Sequence, residues 1–420
     1  MTEIILKHRV IKTELKSGPT LIQIAVPNNA ISMVGLCFRA GSRFDPKGRE
    51  GLAHLFEHLL VVQLPEEPGQ MDKFRVLEKN GIFSNAETDY ETAMYYNLQP
   101  ADRTKISFQL LLKNIFNNSI TPASLLKEKS VILNEAEQNF QDPENFLWRL
   151  NNQSLWPKSS LGRDLYGSKE SIAKISFKDV QDFWRLNYDK KKFVCIVVAP
   201  KIDKSLPALL KGYLCGENNF AREIFVPPLK QNSNLRKIDQ LTVGLGFKTG
   251  PIGNHREVAY SHLLRDYLAN HWSARLVERL RIKEKVAYWV SGTTANFSDT
   301  GMIRFIYSCS SGNLNKTLKL FVEELDLLKQ KTISKADLAL TKNYYISSLI
   351  REFHDPCQLA WWYAWQEILT GKTIEVNDFI ALVKSINATE LKETAKKYFS
   401  RDNYSVTIIG RQRGKVYFNL

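Results

Sequence analysis

The sequence predicts an α+β protein of two homologous domains, each a mostly antiparallel β-sheet packed with α-helices. Three observations carry this. β-rich apolar runs alternate with amphipathic helical stretches along the chain. At 420 residues the chain is too long for one ordinary core. The chain also repeats itself. Val34-Gly-Leu-Cys-Phe-Arg-Ala-Gly41 returns 209 residues later as Val243-Gly-Leu-Gly-Phe-Lys-Thr-Gly250, and Phe193-Val-Cys-Ile-Val-Val-Ala199 returns 211 residues later as Tyr404-Ser-Val-Thr-Ile-Ile-Gly410.

In chain order, residues 10–40 hold β-rich runs such as Leu21-Ile-Gln-Ile-Ala-Val26, then a buried strand from Met33 to the turn at Gly41. Ser42 to Gly48 is a loop. The apolar run Gly51-Leu-Ala-His-Leu-Phe-Glu-His-Leu-Leu60 reads as a buried helix. Met71 to Lys79 is helical in pattern and stops near Gly81, and residues 82–88 and 92–98 pair as strands. Ala101 to Phe116 is an amphipathic helix. The next helix has clear ends, with Thr121-Pro122 at its start and Asp142-Pro143 at its stop. A helix from Phe177 to Tyr188 precedes the strand Phe193–Ala199. Residues 215–237, with Pro227-Pro228 and Gln231-Asn-Ser-Asn234, have the composition of a linker. The domains are therefore expected at 1–214 and 238–420.

The chemistry sits in the first apolar helix. His54 and His58 are one turn apart on one face, with Glu57 beside both. Two imidazoles at that spacing can hold one metal ion, and the glutamate can take a proton from a water at the metal. This is the inverted His-x-x-Glu-His order of a known zinc motif. An unpaired ionised Glu57 in so apolar a helix is costly without such a partner. In the helix after Thr121, Leu125, Glu128, Ile132 and Glu135 share a stripe. That stripe is either an ordinary solvated face or an inward face carrying Glu135 as third ligand with Glu128 behind it, and the pattern leaves both open. At the repeat offset of 209, His54, Glu57 and His58 fall on Leu263, Asp266 and Tyr267, so only the first copy is expected to bind metal. His255, His262, His271 and His354 read as ordinary polar or core histidines.

The composition narrows the alternatives. Hydrophobic residues at 44% and charged residues at 24% describe a globular protein with a solvated surface. The net charge of +14 arises without any dense basic block interleaved with aromatics, which argues against nucleic-acid binding. The five cysteines are widely spaced and unpaired by any Cys-x-x-Cys, and Cys37 and Cys195 sit inside apolar strand-like runs. No run approaches a membrane span, and Met1–His8 holds no signal-peptide core. A reducing, cytoplasmic setting without a membrane partner is the expectation.

With these residues in view, the chain resembles the pitrilysin/insulinase-type metallopeptidases over nearly its whole length, and in particular their short bacterial and organellar branch with two homologous domains per chain. Gly41-Ser-Arg-Phe44 and Gly51-Leu-Ala-His-Leu-Phe-Glu-His58 resemble the family signature. Glu135 stands 77 residues after His58, the spacing of the family's third ligand, and Glu128-Lys-Ser-Val-Ile-Leu-Asn-Glu135 resembles the family's run there. Asn85-Ala-Glu-Thr88 with Glu91-Thr92, Leu155-Trp-Pro157, Leu161-Gly-Arg163 and Gly167-Ser-Lys-Glu-Ser171 also match. Leu280-Arg-Ile-Lys-Glu-Lys-Val-Ala-Tyr288 resembles the arginine–tyrosine element, although Lys285-Val286 stands where a glycine is usual.

The resemblance implies one Zn²⁺ per chain, held by His54, His58 and Glu135, with Glu128 orienting the ligands. Glu57 would be the general base and Tyr288 would help stabilise the oxyanion. Arg281 would hold the substrate backbone, and an extended peptide would add as a strand along Phe83, Ser84, Asn85, Ala86, Glu87 and Thr88. Family members enclose substrate between two halves of a clamshell. One such chain makes one half, so a dimer is expected, either of two copies or with a paralogue. The competing class is a non-catalytic relative that serves as a peptide-binding or assembly subunit.

Overall fold

The computed structural model describes residues 6–16, 18–61, 70–116, 120–190, 192–213, 240–411 and 416–418. The expected linker at 215–237 and Cys215 lie outside these. Six strands, β1 (Arg9–Glu14), β2 (Thr20–Ala25), β3 (Ile31–Phe38), β4 (Phe83–Thr88), β5 (Ala93–Pro100) and β6 (Phe193–Ala199), form a sheet ordered β1-β2-β6-β3-β5-β4. Only β2 and β6 run parallel. The second sheet is antiparallel throughout and joins β7 (Gln240–Thr249), β8 (Ala287–Asn296), β9 (Gly301–Ser310) and β10 (Ser405–Ile409) in the order β10-β7-β9-β8.

The sequence repeat is a repeat of topology. β6-β3-β5-β4 and β10-β7-β9-β8 are the same arrangement, and Leu36 opposes Cys195 as Leu245 opposes Val406. The two hairpins close alike, at Thr88 opposite Ala93 and at Asn296 opposite Gly301.

The compact units, however, are not continuous halves. One comprises Met1–Gln138, Arg163–Ile224 and Arg351–Thr373; the other comprises Asn139–Gly162, Phe225–Ile350 and Ile374–Leu420. This differs from the expected 1–214 and 238–420 by two helices. Helical periodicity marks which face of a helix is buried but carries no record of which sheet it covers.

The first helix to change sides follows α1 (Leu52–Val61), α2 (Gln70–Lys79), α3 (Thr104–Phe116) and α4 (Pro122–Gln141), and is α5 (Pro143–Leu155). The Asp142 carboxylate accepts from Asn145 N at 2.8 Å and Pro143 opens the first turn, so α4 stops and α5 starts afresh. In its unit α5 packs across β7 and β10. Asn151 Nδ2 donates to Thr407 Oγ1 at 2.8 Å, and the Arg304 guanidinium lies 3.9 Å from the Trp148 ring centre. Gly244 permits the close approach, since a Cβ there would sit 2.4 Å from Leu147 Cδ2. The helix Pro356–Thr370 covers the equivalent strands β6 and β3 in the other unit and buries Leu359, Ala360, Tyr363 and Ala364.

An aromatic cluster supports α1. Phe38 stacks on Phe193 at 5.2 Å, and Phe56 of α1 meets Tyr188 at 4.7 Å. The hydroxyls of Tyr95 and Tyr188 share a hydrogen bond of 2.7 Å, so neither is left unpaired in the core. Cys37 and Cys195 are fully buried free thiols in β3 and β6, as their apolar neighbours imply. Among the described residues no helix is long and apolar enough to cross a membrane.

Candidate metal centre and active site

The loop before α1 fixes where the helix begins. Asp45 is buried and accepts from Gly51 N through Oδ2 and from Ala53 N through Oδ1, both at 2.8 Å. It thereby serves two of the amides that a helix start leaves without partners. Burial pushes its carboxyl up to about 8 against those two amides. Gly51 has φ +92°, and a Cβ there would lie 2.7 Å from Tyr166 O, so the position requires glycine. The edge of one of the Tyr166 and His54 rings meets the face of the other at 5.0 Å between centres. Neither Asp45 nor Tyr166 was identified from the sequence. The Asp-Pro of a loop gives no hint of a cap five or more residues ahead.

Helix α1 then presents His54 and His58 one turn apart, with ring centres 4.8 Å from each other. On α4 the buried residues are Leu125, Glu128, Ile132 and Ala136, so the stripe left open by the sequence faces inward. Glu135 Oε1 lies 3.7 Å from His54 Nε2, and its Oε2 lies 3.4 Å from His58 Nε2. One ligand atom from each of His54, His58 and Glu135 fits within a mutual distance of 4.8 Å. Among the described residues this is the only such group. Behind it, Glu128 is fully buried and pairs with His58 Nδ1 at 3.2 Å.

The electrostatics favour a cation at this point. Burial and then the neighbouring His58 pull His54 down to about 4, which leaves a neutral imidazole with a free lone pair. Burial also acts downward on His58, but Glu128 and Glu135 outweigh it and hold the ring up to about 9. Hydrogen bonding to His58 keeps Glu135 below its ordinary value. Burial raises Glu57, and the hydroxyl of Thr88 opposes that by donating to Oε2 at 2.5 Å. Three carboxylates (Glu57, Glu128 and Glu135) thus gather around two imidazoles, a charge pattern that a divalent ion would balance. Two imidazoles and one carboxylate are also a donor set that zinc takes in open sites.

The expected substrate strand, Phe83 to Thr88, is β4, the edge of its sheet. Its side chains alternate, with Ala86 buried while Phe83, Asn85 and Glu87 are exposed. Thr88 ends the strand at the Glu57 carboxylate. The structure therefore brings His54, Glu57, His58, Glu128, Glu135 and β4 into one unit.

Arg281 and Tyr288 belong to the other unit. Arg281 lies over the Trp272 ring, and Tyr288 is 62% exposed at the start of β8. Lys285 adopts φ +53°, the left-handed conformation a glycine would supply at that turn. The offset of 209 is not kept at the helix that follows the first repeated strand. The helix His255–Arg265 begins five residues after Gly250, whereas α1 begins eleven after Gly41. His262, rather than Asp266, reaches the edge strand there: Thr294 Oγ1 lies 3.3 Å from its Nε2. Burial lowers the His262 imidazole well below its ordinary value, which accords with a neutral core histidine.

Two family models match the chain: insulinase (peptidase family M16) over residues 21–169 and the peptidase M16 inactive domain over residues 174–345. An uncharacterized zinc protease of Rickettsia felis is 23% identical over 94% of this chain and 96% of its own length. One from Bacillus subtilis is 21% identical over 95% and 96%. The mitochondrial-processing peptidase subunit beta of Blastocladiella emersonii is 22% identical over 95% and 88%. Among solved structures, a protease from Helicobacter pylori superposes with a TM-score of 0.87 at 18% identity, covering 96% of this chain and 99% of that one. The peptidase M16 inactive domain from Pseudomonas fluorescens gives 0.86 at 15% identity over 97% and 99%. With both models together spanning most of the sequence, the chain belongs to the insulinase family of peptidases, family M16.

Proposed function

We propose that the protein is a zinc-dependent endopeptidase that hydrolyses extended, unfolded peptides. The observation that carries this is the convergence of His54, His58 and Glu135 beside a Glu57 carboxylate that sits at the end of an open sheet edge. Zinc, when bound, supplies a Lewis acid that acidifies a water and polarises a carbonyl. The protein's own groups do the rest. Glu57, raised by burial and held by Thr88, takes the proton from the attacking water and returns it to the leaving amine. Glu128 fixes the tautomer and direction of His58. Strand β4 pairs with the peptide backbone, which reads extension more than side chains and rejects folded substrates.

Arg281 and Tyr288 are assigned to the substrate backbone and the oxyanion. We take the working form to be a dimer, in which the metal ligands of one chain act with Arg281 and Tyr288 of the partner subunit.

The test is cleavage of a quenched, unstructured peptide by wild type, by Glu57→Gln and by chelator-treated protein, with metal content measured for each. Cleavage that is lost in Glu57→Gln, while about one zinc per chain remains, supports the reading. A protein that holds zinc yet cleaves no member of a broad peptide library is a binding or assembly subunit. A protein that holds no metal overturns the assignment of His54, His58 and Glu135.

A further inference from the structure

The segment 272–288 contains a contact, that of Trp272 with Arg281, which the backbone-holding role given to Arg281 above does not use. Trp272 is 69% exposed, the most open of the large apolar side chains around it, and its ring lies 4.8 Å from the guanidinium carbon of Arg281. Contact at this distance is a cation–π interaction, and Arg281 is itself exposed. Ile282 and Tyr288, both exposed, lie next in the chain.

Three neighbouring cations are occupied by carboxylates, while the exposed Lys285 has no ion pair among the described residues. Arg275 pairs with Glu324 at 2.9 Å, Arg279 with Glu323 at 3.4 Å, and Lys283 with Glu278 at 2.7 Å. Arg281 has no carboxylate within ion-pair distance among the described residues. A guanidinium that is held by a cation–π contact, exposed and without an anion is preorganised for a bidentate carboxylate. The chain as a whole carries +14, so acidic peptides are favoured on approach as well.

We propose that Trp272 and Arg281 form a carboxylate-binding subsite through which the protein selects acidic peptides, Trp272 positioning the guanidinium and Arg281 receiving the anion. This rests on the peptide-hydrolase reading for its purpose but not for its test. The carboxylate is that of an Asp or Glu side chain or of the peptide's C-terminus, two sources of the same chemistry.

The test measures binding in the zinc-loaded Glu57→Gln protein, where cleavage plays no part. The probes are fluorescein-labelled ten-residue unstructured peptides, as Asp/Asn pairs at each position and as C-terminal acid/amide pairs. The expected result is at least fivefold tighter binding of the carboxylate member of one pair class, and which class responds identifies the source. The preference should vanish in Arg281→Gln and Trp272→Leu and persist in Trp272→Phe, which keeps an aromatic face. Arg281→Lys keeps the charge but loses the planar fork, so it too should lose most of the preference. Equal binding of every pair by the starting protein overturns the subsite. So does an Arg281→Lys or Trp272→Leu protein that still discriminates fully, since net charge alone would then explain the preference. Hydrolysis by wild type with no carboxylate preference would sink the subsite while leaving the peptidase reading intact.

Discussion

Replacing Glu128 with glutamine isolates one interaction at the candidate metal centre. The Glu128 carboxylate is fully buried on α4, and Oε2 pairs with His58 Nδ1 at 3.2 Å. Glutamine preserves the shape and leaves a carbonyl oxygen to accept the same hydrogen bond, so what is lost is the charge. A hydrogen bond to a charged group contributes about 1.5–3 kcal/mol. At about 1.4 kcal/mol per tenfold this is roughly a 10- to 100-fold loss of zinc affinity, the range known for groups that orient metal ligands. Competition against a chromophoric chelator at fixed pH measures it directly, with circular dichroism confirming the fold. Glu128→Gln that remains folded and holds zinc within about threefold of wild type would show that His58 needs no charged partner, and the stated role of Glu128 would be wrong.

In the metal-free protein His54 and His58 together should contribute most to stability near pH 6–7. His58 is raised from 6.5 to about 9, so its contribution of about 3 kcal/mol is complete below pH 6.5 and is lost as pH rises to 9. His54 is lowered to about 4 and acts oppositely, costing stability as pH falls from 6.5 towards 4. Urea titrations across pH 4–10 test both slopes, and His58→Gln should abolish the alkaline one. Glu57→Gln should reduce kcat on a model peptide by roughly 10²–10⁴-fold without loss of zinc, read by steady-state kinetics and metal analysis. Phe56→Ala, which empties a fully buried site against Phe183 and Tyr188, should cost about 3–5 kcal/mol in denaturant unfolding. Gly244→Ala forces a methyl group against Leu147 of α5 and should cost about 1–3 kcal/mol by the same measurement.

Where the chain was legible, the cause lay in local pattern. His54 and His58 are four residues apart, and any helix of that sequence puts them on one face, so a metal pair could be read before any fold was known. The hairpin of β4 and β5 followed from two β-rich runs about a short turn, and its register is as local as its turn. The repeat was visible because β3 and β7 hold equivalent central positions of their sheets, and β6 and β10 pair beside them in matching register. The inward face of α4 was not decidable from the residue pattern and came only from the family resemblance, because Glu128 and Glu135 look the same on a solvated stripe as on one that meets two imidazoles.

What the sequence determined by itself is therefore the α+β class, the doubling of the fold, and the helix that carries His54, Glu57 and His58. Each depends on contacts within a turn, a hairpin or a repeated strand. The tertiary structure placed Glu135, which the family resemblance had suggested, beside His54 and His58, and it alone decided that Asp45 caps α1. It alone decided that Thr88 holds Glu57, and that α5 and the helix Pro356–Thr370 cover sheets from opposite ends of the chain. These depend on residues far apart in sequence brought together by burial, and a helical or alternating pattern records that a face is buried without recording what it is buried against.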